Sequence, residues 1–450
     1  MNVRIVRRIG MRSGVIFLLL SHFLSAGVLP DWTFAVYMEA GLADMHHWAL
    51  KNMNDMALAC FDAEKLHVVS QIHIEKDQAF RYAIQNEAIK PVEITTLDKD
   101  CSKNIVDFMK WTVQKYPAKH YGLILWNHGF GILDPSFHPE SQDPSSAWDV
   151  EPDEPCHECS GGVCPLKSHS CKEIGHDTHK GALFDGESYM NNAQMIKAFK
   201  TIKKDVLAGE KLDILGTDCC RMAMIEIAYQ VKEYARFLVG SQNCELIDGW
   251  NYKGFFECFK QKSLSPLEAV RSIVGAYSDY YEKVSIQNTY TLSALDLEQV
   301  DALVANLNEI VLLSQKLMVE KESIFKRVLL NAREHSPHMC TSSYYRDLGT
   351  IYVNLLQELD ACDEHVFNPG IIEDLKNTLV QGLALIKSFV AANLVGSAVT
   401  SFQGVSIYFP RNRIDASYVA TVFGQETLWL SLLNDVVYSH FLKDTGEKRS

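Results

Sequence analysis

The chain has 450 residues, 47% of them hydrophobic, which supports a large core and about two or three domains. Its formal net charge is −13, which argues against general nucleic-acid binding, because that needs basic surface to displace counterions. The acidity suits a cationic substrate, although most acidic surfaces serve only solubility.

In chain order, Arg4, Arg7, Arg8 and Arg12 precede the apolar run GVIFLLLSHFL, and SAGVLP follows. A basic start, a short apolar run and the small residues Ser25 and Gly27 make a signal-peptide pattern over residues 1–27. The run is short for a membrane span, so cleavage and export (secreted or periplasmic) is one reading and an uncleaved anchor the other. No later stretch reads as a span. Export permits disulfides, and twelve cysteines allow full pairing without requiring it.

Residues 31–38, DWTFAVYM, read as a strand of aromatic and β-branched residues. HHWALKNMNDMALAC has helical spacing, and KLHVVSQIHI is a second strand. NIVDFMKWTVQKY predicts an amphipathic helix with Ile105, Phe108, Met109 and Val113 on one face. YGLILWNHG is an apolar strand running into His128 and Gly129. AQMIKAFKTIKKDVL predicts a helix, and KLDILGTD a strand ending at Cys219 and Cys220. RMAMIEIAYQVKEYA then reads as a helix and RFLVGSQ as a strand. Such alternation means βαβ units and a mainly parallel sheet covered on both faces. The expected fold class is therefore α/β, with a core over residues 28–300.

Further on, SPLEAVRSIVGAYSDYYEKV starts with Ser265 as N-cap, Pro266 in the first turn and Glu268 closing a capping box. TYTLSALDL is a strand, and Asp296 and Gln299 are read as caps of a long helix. A further helix is expected over roughly 371–393, and GVSIYFP is a strand stopped by Pro410. Residues 301–450 are thus expected to form a smaller, mostly helical C-terminal region. Residues 133–180 break the pattern, with prolines, acids, five histidines and no periodicity. Long segments of this kind are functional or disordered.

In an open parallel sheet, residues just past the carboxyl ends of strands line the ligand crevice. His128 follows one such strand and Cys220 another. If the strands are neighbours, imidazole and thiol share one edge, as nucleophilic catalysis by cysteine requires. Read as the residue that opens the next helix, Cys220 has helix amides as well as His128 to favour its thiolate. Gly129 lets its backbone N–H approach a substrate carbonyl, and with the Cys220 N–H it would form an oxyanion hole. Against this, a histidine at a strand end is commonly plain polar structure, and a cysteine doublet commonly a pair of buried thiols.

The wider pattern resembles the clostripain-like cysteine peptidases of the caspase-like clan. That family carries W-N-H-G after one strand, here Trp126, Asn127, His128 and Gly129. It carries D-x-C-x-M and then E-x-A-Y after the next, here Asp218, Cys220, Met222, Glu226, Ala228 and Tyr229. The likeness extends to WTFAVYMEA, GALFDG, DGWNY, LSALDL and GVSIYFP, and covers roughly residues 31–440. It implies a caspase-like α/β/α sandwich and an endopeptidase with a Cys–His dyad. His128 is then the general acid/base and Cys220 the nucleophile, with Cys219 in a variable slot. Family members typically cleave after Arg or Lys, and an acid two residues before the nucleophile lies in the pocket for that side chain, which points to Asp218. A buried carboxylate needs a cation, and a basic side chain supplies one; a helix N-cap is the other reading of Asp218. Asp248, in CELIDGW, would add negative charge to the pocket or stand as a solvated loop acid.

Two positions depart from the family. Arg221 stands where an apolar residue is usual, and AGLADMHHW replaces an Asn-rich stretch, so the calcium dependence of some relatives cannot be carried over from the resemblance, and a calcium site stays open. The dyad chemistry itself requires no cofactor. In the 133–180 segment, Cys156, Cys159, Cys164 and Cys171, with His157, His169, His176 and His179, fit either two local disulfides or a structural zinc. The family commonly activates itself by cleavage in the loop after the catalytic histidine, and Lys167, Lys172 and Lys180 are the basic sites there. The expected partners are protein or peptide substrates with a basic residue before the cut. The rival reading is a non-catalytic binding protein of the same fold, held by metal or disulfides. The joint presence of His128, Gly129, Asp218 and Cys220 argues against it. A purely structural disulfide-rich protein does not fit so large and regular a core.

Overall fold

Strand β1 (Trp32–Glu39) is buried along its whole length, as a central strand covered on both faces is. Its side chains alternate between two cores. Trp32, Phe34, Val36 and Met38 enter one, and Ala35 and Tyr37 the other. In this computed structural model the described residues are 29–444, apart from 42, 76, 135–183, 186–187, 285–287, 340–341 and 364. The signal-peptide pattern and the cysteines and histidines proposed for zinc or disulfides lie outside them.

After β1 come α1 (Ala43–Ala57), β2 (Leu66–Glu75), β3 (Gln78–Gln85), β4 (Ala88–Thr96), α2 (Cys101–Lys115) and β5 (His120–Trp126). A two-stranded hairpin of β6 (Phe184–Asp185) and β7 (Ser188–Tyr189) precedes α3 (Asn192–Thr201), β8 (Leu212–Asp218), α4 (Ile225–Val231) and β9 (Ala235–Gly240). Then follow α5 (Tyr252–Glu257), α6 (Pro266–Val284), β10 (Thr291–Asp296), α7 (Val300–Glu334), β11 (His338–Met339), β12 (Ser342–Asp347), α8 (Leu348–Asp360), α9 (Pro369–Phe389), β13 (Val390–Val395) and β14 (Ser406–Tyr408). The short α10 (Ala416–Val419) and α11 (Val422–Glu426) lead into α12 (Trp429–Asp444).

Nine strands form one sheet in the order β13-β10-β9-β8-β5-β1-β2-β3-β4. The inner strands β9, β8, β5, β1 and β2 run parallel, and antiparallel strands finish both sides. Helices α1, α5 and α6 cover one face, and α2, α3 and α7 to α9 the other. This is the expected α/β/α sandwich around a mainly parallel sheet. Residues beyond 300 belong to the same packing: Leu303, Leu307 and Val311 of α7 share a core with Leu123, Leu125 and Leu215 of the parallel strands.

The capping box at α6 forms as predicted, with the Ser265 N–H donating to Glu268 at 3.0 Å and the Glu268 N–H to Ser265 Oγ at 3.3 Å. Asp296 caps a short 3-10 turn ahead of α7, but Gln299 makes no side-chain cap. The helix expected over 371–393 ends at Phe389, because Val390–Val395 pairs antiparallel with β10. The β3–β4 hairpin, turning through Asn86 and Glu87 (φ 58°), is an addition to the sequence reading. Among the described residues, Leu297–Glu334 is the one helix long and apolar enough to cross a membrane by length and composition. Its apolar side is packed into the core beside α8 and α9.

Candidate active site

Strands β5 and β8 are parallel neighbours, with Trp126 opposite Asp218. His128 and Cys220 each lie two residues past that last rung. Adjacent strands run about 4.8 Å apart, so both residues stand at one carboxyl edge of the sheet, in the position where open α/β sheets bind ligands. Both are buried, His128 at 4% exposure and Cys220 at 9%. Asn127 fixes the turn between strand and histidine. Its Nδ2 donates to the Glu39 carbonyl at 2.8 Å, its N–H to the Asp218 carbonyl at 3.4 Å, and its Oδ1 accepts from the His128 N–H.

Gly129 explains itself by space. A Cβ there would lie 2.3 Å from the Cys220 carbonyl oxygen, 3.0 Å from the Cys220 nitrogen and 2.9 Å from Cys219 Cβ. The two strand ends meet through bare backbone. We expect Gly129→Ala to push the His128 turn off Cys220, lowering kcat/KM by roughly 100-fold, as ångström-scale misplacement of reacting groups does. Reporter kinetics beside a thermal melt measure it; unchanged kcat/KM would show that the close approach has no bearing on catalysis.

The pleat separates the cysteine doublet. Cys219 is 1% exposed and belongs to the larger core, where its Sγ donates to the Leu125 carbonyl at 3.4 Å. Cys220 packs instead against Cys244. Neither residue of the doublet is in a disulfide, whereas Cys244 is. The expectation that Cys220 opens a helix needs correction. Helix α4 begins at Ile225, five residues on, with Met224 as a cap that makes no side-chain bond. Arg221 takes a left-handed conformation, φ 62°, which a non-glycine residue adopts at some cost. It turns the chain out of β8 before an extended stretch, so Cys220 does not sit on helix amides. The Arg221 guanidinium lies beside Cys244, with Nη2 3.6 Å from its Sγ.

A different amide reaches the sulfur. The N–H of Glu245, in the loop between β9 and α5, donates to Cys220 Sγ at 3.1 Å. Glu245 is fully buried, and its Oε1 accepts from Trp250 Nε1 at 2.7 Å. Sequence reasoning quoted the stretches that hold both residues but gave neither a role. The signal present was the apolar character of CELIDGW itself, since a loop with Cys244, Leu246, Ile247 and Trp250 has reason to be buried.

Asp218 is also fully buried. Its Oδ2 accepts from the Trp250 N–H at 3.1 Å and the Tyr252 hydroxyl at 2.8 Å, which sets aside the helix N-cap reading. Beside these acids the Tyr252 phenol is pushed well above its usual range, by burial first and then by Asp218. Gly249 (φ 70°) lies against Asp218, where a Cβ would come within 2.9 Å of Oδ2. Asp248 is on the same loop but at its outer side. It accepts from the Tyr280 hydroxyl at 2.8 Å, stands 3.8 Å from Lys51 Nζ and keeps 26% of its side-chain exposure. Asn52 joins the strand ends to this loop, accepting from Trp126 Nε1 and donating to the Asp248 carbonyl, both at 2.8 Å.

Behind the doublet, Glu226 of α4 is fully buried. Its Oε1 accepts from the Tyr408 N–H at 2.8 Å and the Tyr418 hydroxyl at 3.2 Å. Burial raises its carboxyl to about 7, against the lowering effect of those donors. The folded state therefore holds this proton where the unfolded chain, near 4.5, has released it. The contribution to stability is complete below that unfolded value and is lost as pH rises through about 7, a difference of up to about 3 kcal/mol. We expect Glu226→Gln to flatten the stability curve between these limits; urea titrations at pH 5 and pH 8 test it. A variant with the same pH slope as the parent would exclude Glu226 as its source.

Among the described residues, no group of three or more His, Cys, Asp or Glu side chains could hold a metal ion.

The structure thus brings a buried imidazole and a buried thiol to matched carboxyl ends of neighbouring parallel strands in an α/β/α sandwich of the caspase-like type. The model of the clostripain family matches residues 167–435, more than half of the chain, and the chain belongs to that family of cysteine peptidases. Among solved structures, it is similar to a secreted C11 cysteine protease from Bacteroides thetaiotaomicron in complex with an irreversible peptide inhibitor. The two are 15% identical with a TM-score of 0.58, over 90% of this chain and 99% of that one. It is also similar to an inactive zymogen C11 protease from Parabacteroides distasonis, at 16% identity and a TM-score of 0.54, over 91% and 99% of the two chains. At these identities the likenesses establish the fold. No curated protein matches the chain.

Proposed function

We propose that the protein is an exported cysteine endopeptidase that cleaves after Arg or Lys. Cys220 Sγ attacks the scissile carbonyl, and His128 takes the thiol proton and passes it to the leaving amine. Water then hydrolyses the acyl-enzyme with His128 as base. The N–H groups of Gly129 and Cys220 stabilise the oxyanion. Asp218 and Asp248 supply negative charge for the basic side chain before the cut, and since Asp218 is fully buried, the surrounding wall must yield to admit that side chain. No cofactor enters these steps. One observation carries the reading: His128 and Cys220 sit at the same offset past the Trp126–Asp218 rung, with Gly129 against the Cys220 backbone.

Export is supported by the arginine-led apolar start and by the disulfide at Cys244, a bond that persists in oxidising compartments. Self-cleavage after Lys167, Lys172 or Lys180 is the proposed route of activation. The test is turnover of short reporter peptides ending in Arg, Lys or Asp by the full chain. Cleavage after Arg and Lys alone is expected. Cleavage after Asp would overturn the assignment of Asp218, and no turnover at all, even with the 133–180 segment cut by an added protease, would favour a binding protein of the same fold.

A further inference from the structure

The stretch after Cys220 and the loop after β9 run side by side. The Ala223 N–H donates to the Ser241 carbonyl at 3.0 Å, and the Arg221 N–H to the Asn243 carbonyl at 3.0 Å. These are two rungs of an antiparallel pairing, each step two residues along both segments. The left-handed turn at Arg221 breaks the pairing there. The next loop amide, that of Glu245, meets the Cys220 sulfur at 3.1 Å. A backbone N–H can only donate, so the sulfur is the acceptor, and such a donor is strongest when the acceptor is charged.

What keeps this amide in place is a closed circuit of contacts. The Glu245 carboxylate accepts from the Trp250 indole at 2.7 Å, and both residues are buried. The indole rests on β8 at Gly216, where a Cβ would come within 2.8 Å of Trp250 Cη2. From Gly216 the strand leads straight to Cys220. The Trp250 backbone meanwhile donates to Asp218. The same residue that sets its carboxylate on the indole supplies the N–H donor at the sulfur.

We infer that Glu245 is a positioning residue for the attacking sulfur: its N–H holds Cys220 Sγ, and its carboxylate, anchored on Trp250, holds that N–H in place. The inference rests on reading Cys220 as the nucleophile. It separates two possible roles for a third acid beside Asp218 and Asp248, because here the carboxylate acts as a hydrogen-bond acceptor and its charge on the substrate is incidental. Gln keeps the acceptor and Ala removes it.

The test follows alkylation of Cys220 by iodoacetamide at one fixed pH, read at the Cys220 peptide by mass spectrometry, alongside kcat and KM on a basic reporter. Trp250→Phe and Glu245→Ala are expected to slow alkylation and lower kcat about tenfold each, the scale of one charge-assisted hydrogen bond, with KM moving less than twofold. Glu245→Gln is expected to recover most of the rate lost in Glu245→Ala. Unchanged alkylation in Glu245→Ala overturns the inference. So does a Glu245→Gln variant as impaired as Glu245→Ala with a raised KM, since charge would then be what matters. If Trp250→Phe does not fold, the Ala and Gln pair decides alone. Alkylation needs no substrate, so failure of every reporter would count against the proposed specificity while leaving the sulfur's support measurable.

Discussion

Cys220→Ala is expected to lower turnover on the order of 10,000-fold or more, the size of loss seen when the nucleophile of a covalent mechanism is removed. The fold should survive, because the substitution removes a single sulfur atom at the carboxyl edge of the sheet and the backbone approach to Gly129 involves no Cys220 side chain. Cys219→Ala is the informative control. Its sulfur faces the core and donates to Leu125, so activity should persist while the protein loses about 1 kcal/mol of stability from the small cavity. Kinetics and melts of both variants test the assignment, and the reverse pattern would transfer the nucleophile to Cys219. The same Cys220→Ala protein should remain full length if activation is self-cleavage. Processing at an unchanged site would exclude the dyad as its agent.

Asp218→Asn should cut kcat/KM for Arg and Lys reporters roughly 100-fold, because removing one member of a desolvated charge pair costs about 3 kcal/mol. The substitution is nearly isosteric, and an amide oxygen can still accept from the Trp250 N–H and the Tyr252 hydroxyl that now serve Oδ2. Turnover of a reporter with an uncharged residue before the cut should change little. Equal losses on basic and uncharged reporters would make Asp218 a structural acid of the β8 terminus. Asp248 offers a useful contrast, since Tyr280 and Lys51 already engage it at the loop's outer side.

The parallel heart of the fold was legible because its strands are short apolar runs separated by helical spacing, and β1, β5 and β8 occupy the segments read for them. The proposed dyad drew on the same pattern: His128 and Cys220 stand directly after two such runs. What escaped depends on contacts between distant segments. VAANLV looks like more of the preceding helix until β10 offers it a partner. The start of α4 moved because the chain leaves β8 through a left-handed Arg221 and then lies along the 241–243 backbone, an arrangement between distant segments that no local propensity encodes. Glu245 escaped because an acid in a loop is ordinarily solvated; its burial goes with a bond from the indole five positions on, at Trp250.

The hairpin that the sequence reading passed over also bears on how the molecule behaves in company. β4 closes one side of the sheet, and its Val92 and Ile94 are 44% and 62% exposed. An open strand with apolar side chains is a template for self-association. Here Pro91 interrupts the strand with a residue that has no N–H, Lys90 and Glu93 place opposite charges beside it, and the register slips opposite Arg81 and Tyr82. A second copy approaching this strand meets an interrupted ladder, which works against the sheet continuing from one molecule into the next.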